Sequence, residues 1–244
     1  MEKTEDPIPI AELLAEIDSA EKQGKVADTA NLANDRVWMF HGTKDTTIAE
    51  QVHDSTVEIY AAYLPLDQIK RVNDIPAGHF FPALDSGHGC EEMVAPFVGD
   101  CGFDAAGELL SYLYPGLEAP SGETVAEVQA VDLPGADDAD LLEQAYLYVP
   151  EGCRDGSQAC ALHLVLHGCA QSAETVGTGF IEQSGYLPWA EANGIVLAFP
   201  QVAKSLVTPI NPYGCWDWWG YTGDEYLWRD GAQMKVLTDW LKNL

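Results

Sequence analysis

No Gly-x-Ser-x-Gly occurs anywhere in the 244 residues, so the usual exposed-serine elbow of an α/β enzyme is missing. No Cys-x-x-Cys and no His-Glu-x-x-His occurs, which removes the common zinc spacings. Basic residues are scarce: 12 Lys and Arg face 39 Asp and Glu, for a formal charge of −27. A surface of that sign repels phosphate backbones and argues against nucleic-acid partners. No apolar run approaches the roughly 18 residues that cross a bilayer. The longest stretch, Ala159 to Ala173, is interrupted by His163, His167, Gly168 and Gln171, so no membrane partner is expected. The opening residues, Met1 to Asp6, are acidic and lack the basic region and apolar core of an export signal.

What is present reads as a globular chain. Apolar residues make up 47% and aromatics 10%, and a chain of this length can bury a full core as one domain, 1–244. The acidity serves solubility or, given how few lysines there are, a high-salt habitat where screening weakens self-repulsion. Six cysteines fall into three groups: Cys90 with Cys101, Cys153 with Cys160, and Cys169 with Cys215. The first two bracket short Gly- and Asp-rich loops, as disulfide staples do in exported proteins. Six cysteines allow 15 pairings, so the spacing supports this arrangement without fixing it. For a disulfide-rich chain without an export signal, the true N-terminus is expected to lie elsewhere.

Apolar residues at Ile10, Leu13, Leu14 and Ile17 predict an amphipathic helix over 8–22. Strands are expected at 36–41 and 69–73, flanking a helix at 48–63. Asp104 can cap a helix that Pro115-Gly116 stops near Tyr114. The stretch 116–144 reads as a surface excursion containing an edge strand, Val125 to Leu133. Strands at 145–149 and 161–167 are expected as a hairpin through the Cys153–Cys160 loop. A helix at 173–193 and a buried strand at 195–199 complete a βαβ unit. A last helix, 231–243, should turn Leu237, Trp240, Leu241 and Leu244 inward. Strands alternating with helices predict a three-layer α/β fold with a mostly parallel sheet.

Two residues sit where an α/β sheet presents chemistry. Asp45 follows the strand at 36–41 and a Gly turn, and His79 follows the second strand within a Gly- and Pro-rich loop. Alone, each reads as an ordinary loop residue. In strand–Asp–helix–strand–His order they match the acid and base of a hydrolytic triad. Leu164 to Ser172 is a strand, a tight Gly turn and a helix start, whose N–H groups can hold an oxyanion. Cys169 there could instead be a thiol nucleophile, unless it is bonded to Cys215. Tyr213, Trp216, Trp218, Trp219 and Tyr221 lie within nine residues in a Gly- and Pro-rich loop, where exposed rings could grip an apolar polymer or acyl chain. A metal site from His41, Asp45, His79 and His88 lacks any recognised spacing, and no cofactor is expected.

Four segments, HGTKDTTI at 41–48, AGHFFP at 77–82, LHGCAQSAE at 166–174 and NPYGCWDWWGYTG at 211–223, resemble the poly(3-hydroxybutyrate) depolymerase family. The resemblance runs from Asp35 to Leu244. It implies a secreted serine esterase with an α/β-hydrolase fold, acting on the polyester or on short-chain hydroxyacid esters. It makes Asp45 and His79 the triad acid and base and Cys169 the oxyanion donor, with Trp216, Trp218, Trp219 and Tyr221 lining the substrate crevice. The order of parts is similar to the circularly permuted branch, in which the serine elbow precedes the acid. That elbow, with its strand, is expected to be missing from this chain, leaving exposed sheet edges and poor solubility. Ser55, Ser86, Ser172 and Ser184 lack the strand–turn–helix setting of a nucleophile. The rival expectation is a polymer- or ester-binding protein without catalysis.

Overall fold

The computed structural model describes residues 7–122, 124, 126–154, 156 and 158–244. The chain divides into two compact units, Met1–Gly116 and Leu117–Leu244, at the start of the excursion expected from the sequence. Val125, the expected first residue of the edge strand, and Met1 to Asp6 lie outside the described residues.

The first unit holds helix α1 (Ile10–Lys22), strand β1 (Val37–Phe40), helix α2 (Glu50–Ala61) and strand β2 (Ile69–Val72). Three short strands follow, β3 (Phe81–Ala83), β4 (His88–Gly89) and β5 (Val98–Asp100), and then helix α3 (Ala105–Leu113). β1 and β2 run parallel, with Val37 opposite Ile69, so this is a β–α–β unit. β5 pairs in parallel with both β3 and β4. Asp104 caps α3 by accepting the Gly107 N–H at 2.8 Å, which satisfies one orphan donor of the first turn. Leu109 and Leu110 of α3 are buried, as are Met39 of β1 and Ala83 of β3.

The second unit begins with β6 (Gln129–Asp132), β7 (Gln144–Tyr148), the single turn α4 (Glu151–Arg154) and β8 (Ala161–Leu164). Short helices α5 (Ala173–Val176), α6 (Gly179–Gln183) and α7 (Tyr186–Asn193) lead to β9 (Ile195–Phe199), and α8 (Ala232–Lys242) ends the chain. The sheet order is β6-β7-β9-β8, with β8 and β9 parallel and the other two pairings antiparallel. β6 is an edge strand, shorter than the expected 125–133. The expected hairpin does not form: β9 inserts between β7 and β8, because the β8–helix–β9 crossover makes β9 the parallel neighbour of β8. The helix expected over 173–193 is three helices, broken where Gly177 (φ 59°) and Gly185 (φ 82°) leave the helical region. Leu237 and Trp240 of α8 join a core of Leu133, Leu141, Ala145, Ala198 and Val202. Leu244 lies beyond the helix and is exposed, contrary to the expectation.

Candidate active site

Asp45 is positioned by a loop that continues the β1–β2 pairing past the strand ends. His41 N–H donates to Val72 O at 2.9 Å, Thr43 N–H to Ile75 O at 2.8 Å and Lys44 N–H to Ala77 O at 3.0 Å. The Asp45 loop and the chain leading to His79 are thereby laced together. Gly42 is required for this approach, since a Cβ there would lie 2.1 Å from the Ala77 carbonyl oxygen. His41 locks the far end of the loop, its Nε2–H donating to Ile48 O at 2.9 Å. Asp45 Oδ1 then accepts the N–H groups of Thr47 and Ile48 at 2.8 and 2.9 Å.

The other carboxylate oxygen, Oδ2, lies 2.8 Å from His79 Nδ1. The Asp45 side chain is 7% exposed and that of His79 is 51% exposed, so the acid is sheltered while the imidazole faces outward. His79 Nε2 has no hydrogen-bond partner among the described residues. Burial pushes the Asp45 carboxyl up, but the Ile48 N–H, the His79 imidazole and the Thr47 N–H outweigh it, and the net shift is downward. Asp45 is therefore ionised near neutral pH and holds the His79 proton on Nδ1. Behind His79, its own N–H points at Met93 Sδ at 3.5 Å, and the Cys90–Cys101 disulfide staples the same loop region.

In the second unit, β8 runs into the turn Gly168–Gln171. Gly168 N–H donates to Gln171 Oε1 at 2.6 Å, Ala170 N–H to Tyr213 O at 2.6 Å, and Gln171 N–H to Gly168 O at 3.2 Å. Among the described residues, the Cys169 N–H is the remaining donor of this turn without a partner, and Cys169 is exposed. A Cβ at Gly168 would meet Gln171 Oε1 at 2.7 Å, and Ala170 is held at φ 61°, so the turn is tightly determined. Cys169 is bonded to Cys215, which removes the thiol-nucleophile reading. Cys153–Cys160 forms the third disulfide.

The aromatic loop is organised by Asp217. Its Oδ1 accepts the N–H groups of Trp219, Gly220 and Tyr221, and its Oδ2 accepts the N–H and hydroxyl of Thr222. Burial raises the Asp217 carboxyl, and these donors lower it by more. The four rings expected at the substrate divide into two kinds. Trp218 and Trp219 are 63% and 40% exposed, with ring centroids 5.2 Å apart. Trp216 and Tyr221 are half-buried and engaged: the indole N–H donates to His167 O at 2.9 Å, and the phenol donates to Cys215 O at 2.8 Å. Burial pushes the Tyr221 hydroxyl up to about 12, so it remains a donor.

A polyhydroxybutyrate depolymerase of Talaromyces funiculosus is 30% identical to this chain over 233 residues, which cover 90% of this chain and 69% of the relative. The chain belongs to the poly(3-hydroxybutyrate) depolymerase family. The depolymerase of Delftia acidovorans is 32% identical over 234 residues, covering 94% of this chain. The chain spans about half the length of that relative, 46%. A PHB depolymerase complexed with R3HB trimer has a TM-score of 0.92 at 28% identity, over 98% of this chain and 79% of that one. The crystal structure of the Penicillium funiculosum depolymerase gives 0.90 at 29%, over 95% and 76%. No family model matches. The family's α/β-hydrolase fold is thus the fold of this chain.

Within this depolymerase-family chain, the four serines weighed from the sequence sit in unsuitable places. Ser55 Oγ, on α2, donates to Gln51 O at 2.9 Å. Ser172 and Ser184 are buried at 0% and 1% exposure, and Ser86 lies half-buried between β3 and β4. Of the four residues considered for a metal, Asp45 and His79 meet, whereas His41 and His88 spend Nε2 on the carbonyls of Ile48 and Ala95. Sequence reasoning weighed His41 only as a metal ligand and missed the roles of His41, Asp217 and His167, whose work is done on backbone groups. Their signal was weak: a polar residue beside a tight turn.

Proposed function

We propose that these 244 residues are the acid–base and oxyanion part of an esterase that hydrolyses poly(3-hydroxybutyrate) or related short-chain hydroxyacid esters. The observation that carries this reading is the 2.8 Å contact from His79 Nδ1 to the ionised, sheltered Asp45, with Nε2 unengaged among the described residues. In this reading a serine hydroxyl gives its proton to His79 Nε2 and attacks the ester carbonyl. Asp45 holds the ring's tautomer and stabilises the imidazolium. The Cys169 N–H stabilises the tetrahedral oxyanion, and its lack of a partner among the described residues, in an otherwise saturated turn, supports that role. His79 then protonates the leaving alcohol and deprotonates the water that releases the hydroxyacid. Proton transfer and hydrogen bonding suffice for this chemistry without a cofactor. Trp218 and Trp219 contact the polyester.

The serine is supplied by sequence outside these residues, upstream in the order of a permuted hydrolase, because no Gly-x-Ser-x-Gly occurs here. The three disulfides support an exported protein. The same missing motif favours a second reading, a polymer-binding protein without catalysis. A polypeptide that joins the 244 residues to their upstream coding region separates the two. Release of 3-hydroxybutyrate, with stoichiometric labelling of an upstream serine by a phosphonate, supports the esterase. Adsorption to polymer granules without release, and no in-frame serine elbow upstream, overturns it in favour of the binding protein.

A further inference from the structure

The Cys169 N–H belongs to the same peptide group as the Gly168 carbonyl. A trans peptide is planar, with its C=O and N–H pointing in opposite directions, so whatever fixes the carbonyl also aims the N–H. The Gly168 oxygen lies 2.7 Å from His167 Nδ1. The protonation of that ring follows from its other nitrogen. Nε2 accepts the Val202 N–H at 3.1 Å, and a backbone N–H can only donate, so Nε2 carries no proton. The ring proton is therefore on Nδ1, donating to Gly168 O. The imidazole has little room to turn. It is part of a residue only 3% exposed, its ring lies 5.4 Å from that of Trp216, and the Trp216 indole holds its backbone carbonyl.

We propose that His167 is a positioning residue for the oxyanion donor, setting the direction of the Cys169 N–H through the Gly168 carbonyl. The inference rests on the reading of Cys169 as that donor. His167 touches no substrate. It ties the end of β8 to Val202, just past β9, and turns that anchorage into the aim of one peptide group. The Cys169–Cys215 disulfide holds the side chain of the same residue, and the Gly168 carbonyl is held by the His167 ring at 2.7 Å together with the longer turn bond from the Gln171 N–H at 3.2 Å.

Two substitutions separate the ring's two bonds. His167→Asn keeps a donor near the Nδ1 position, whereas His167→Gln keeps an acceptor near Nε2 for Val202 and leaves Gly168 O without its side-chain donor. In the ¹⁵N-labelled chain, imidazole shifts are expected to show the Nδ1–H tautomer. The Cys169 N–H order parameter should be near 0.85 in the parent and in His167→Asn, and below about 0.6 in His167→Gln. An Nε2–H tautomer, which needs no variant to detect, overturns the proposal. So does a Cys169 order parameter that is the same in all three chains. In the polypeptide extended to include the serine, His167→Gln should lower kcat about 10- to 100-fold with KM little changed, and His167→Asn should restore most of it. An altered Cys169 order parameter with unaltered kcat would leave His167 as the positioning group and refute Cys169 as the oxyanion donor.

Discussion

At the scale of single residues, the account turns on which atom carries a proton. Asp45 spends Oδ1 on two backbone N–H groups and Oδ2 on His79 Nδ1, so each oxygen has a distinct task. In Asp45→Asn the amide oxygen keeps the backbone donors and the NH₂ takes the place of Oδ2. Facing that donor, Nδ1 must accept, and the His79 proton moves to Nε2, the wrong tautomer for a general base. Imidazole ¹⁵N shifts read this directly; a proton that stays on Nδ1 in the variant would refute the assignment. The sequence made Asp45 and His79 legible because each follows an apolar run and a Gly turn, a short-range pattern. It did not reveal the loop-holding roles of His41, His167 or Asp217, because a side chain that bonds backbone atoms leaves no periodicity. Nor did it separate Trp218 and Trp219 from Trp216 and Tyr221: the indole of Trp216 is held by the distant His167 carbonyl, and the Tyr221 hydroxyl by the Cys215 carbonyl through the fold of the loop itself.

At the scale of elements, what matters is how two loops are kept in register. The β1–β2 ladder extends through Thr43 and Lys44 to Ile75 and Ala77, and Gly42 lets the backbones approach. Gly42→Ala forces a methyl group against the Ala77 carbonyl and should cost about 3 kcal/mol of stability, measured by urea unfolding. A change below about 0.5 kcal/mol would show that the loops are not so tightly joined. Asp217→Ala leaves the N–H groups of Gly220, Tyr221 and Thr222 without their acceptor. It should loosen the loop enough to raise the amide exchange of these residues about 10-fold or more, whereas unchanged protection would deny Asp217 its organising role. Element types were readable where periodicity was long, as in α1, α2 and α8. The two- and three-residue strands β3, β4 and β5 carry no period at all. The β7–β8 hairpin was misread because strand order depends on a crossover that local sequence does not encode, and the helix at 173–193 because Gly177 and Gly185, which break it at positive φ, lie inside a single stretch of helical residues.

At the scale of the whole molecule, charge and buried histidines set how stability responds to solvent. A net charge of −27 repels itself, and salt screens that repulsion. The melting temperature should rise by several degrees between low and about 1 M salt; a fall would contradict the account. His53, His163 and His167 are all held below the ordinary 6.5, chiefly by burial. They are neutral in the fold and take up protons on unfolding once the pH drops under that value. Their contribution is thus intact above pH 6.5 and is lost as pH falls through their folded values. Asp45 and Asp217, both lowered, add a further loss only below the ordinary 3.8. Urea midpoints across pH 4–8 check the sign: they should be flat at the alkaline end and decline on the acid side of neutrality.

The central claim is that Asp45 and His79 act as one acid–base pair on an ester. Its most direct test is the turnover of a 3-hydroxybutyrate oligomer by the serine-containing polypeptide, with and without Asp45→Asn. The account predicts a loss of about 10³- to 10⁴-fold in kcat with KM nearly constant. Turnover within a few-fold of the parent would contradict it.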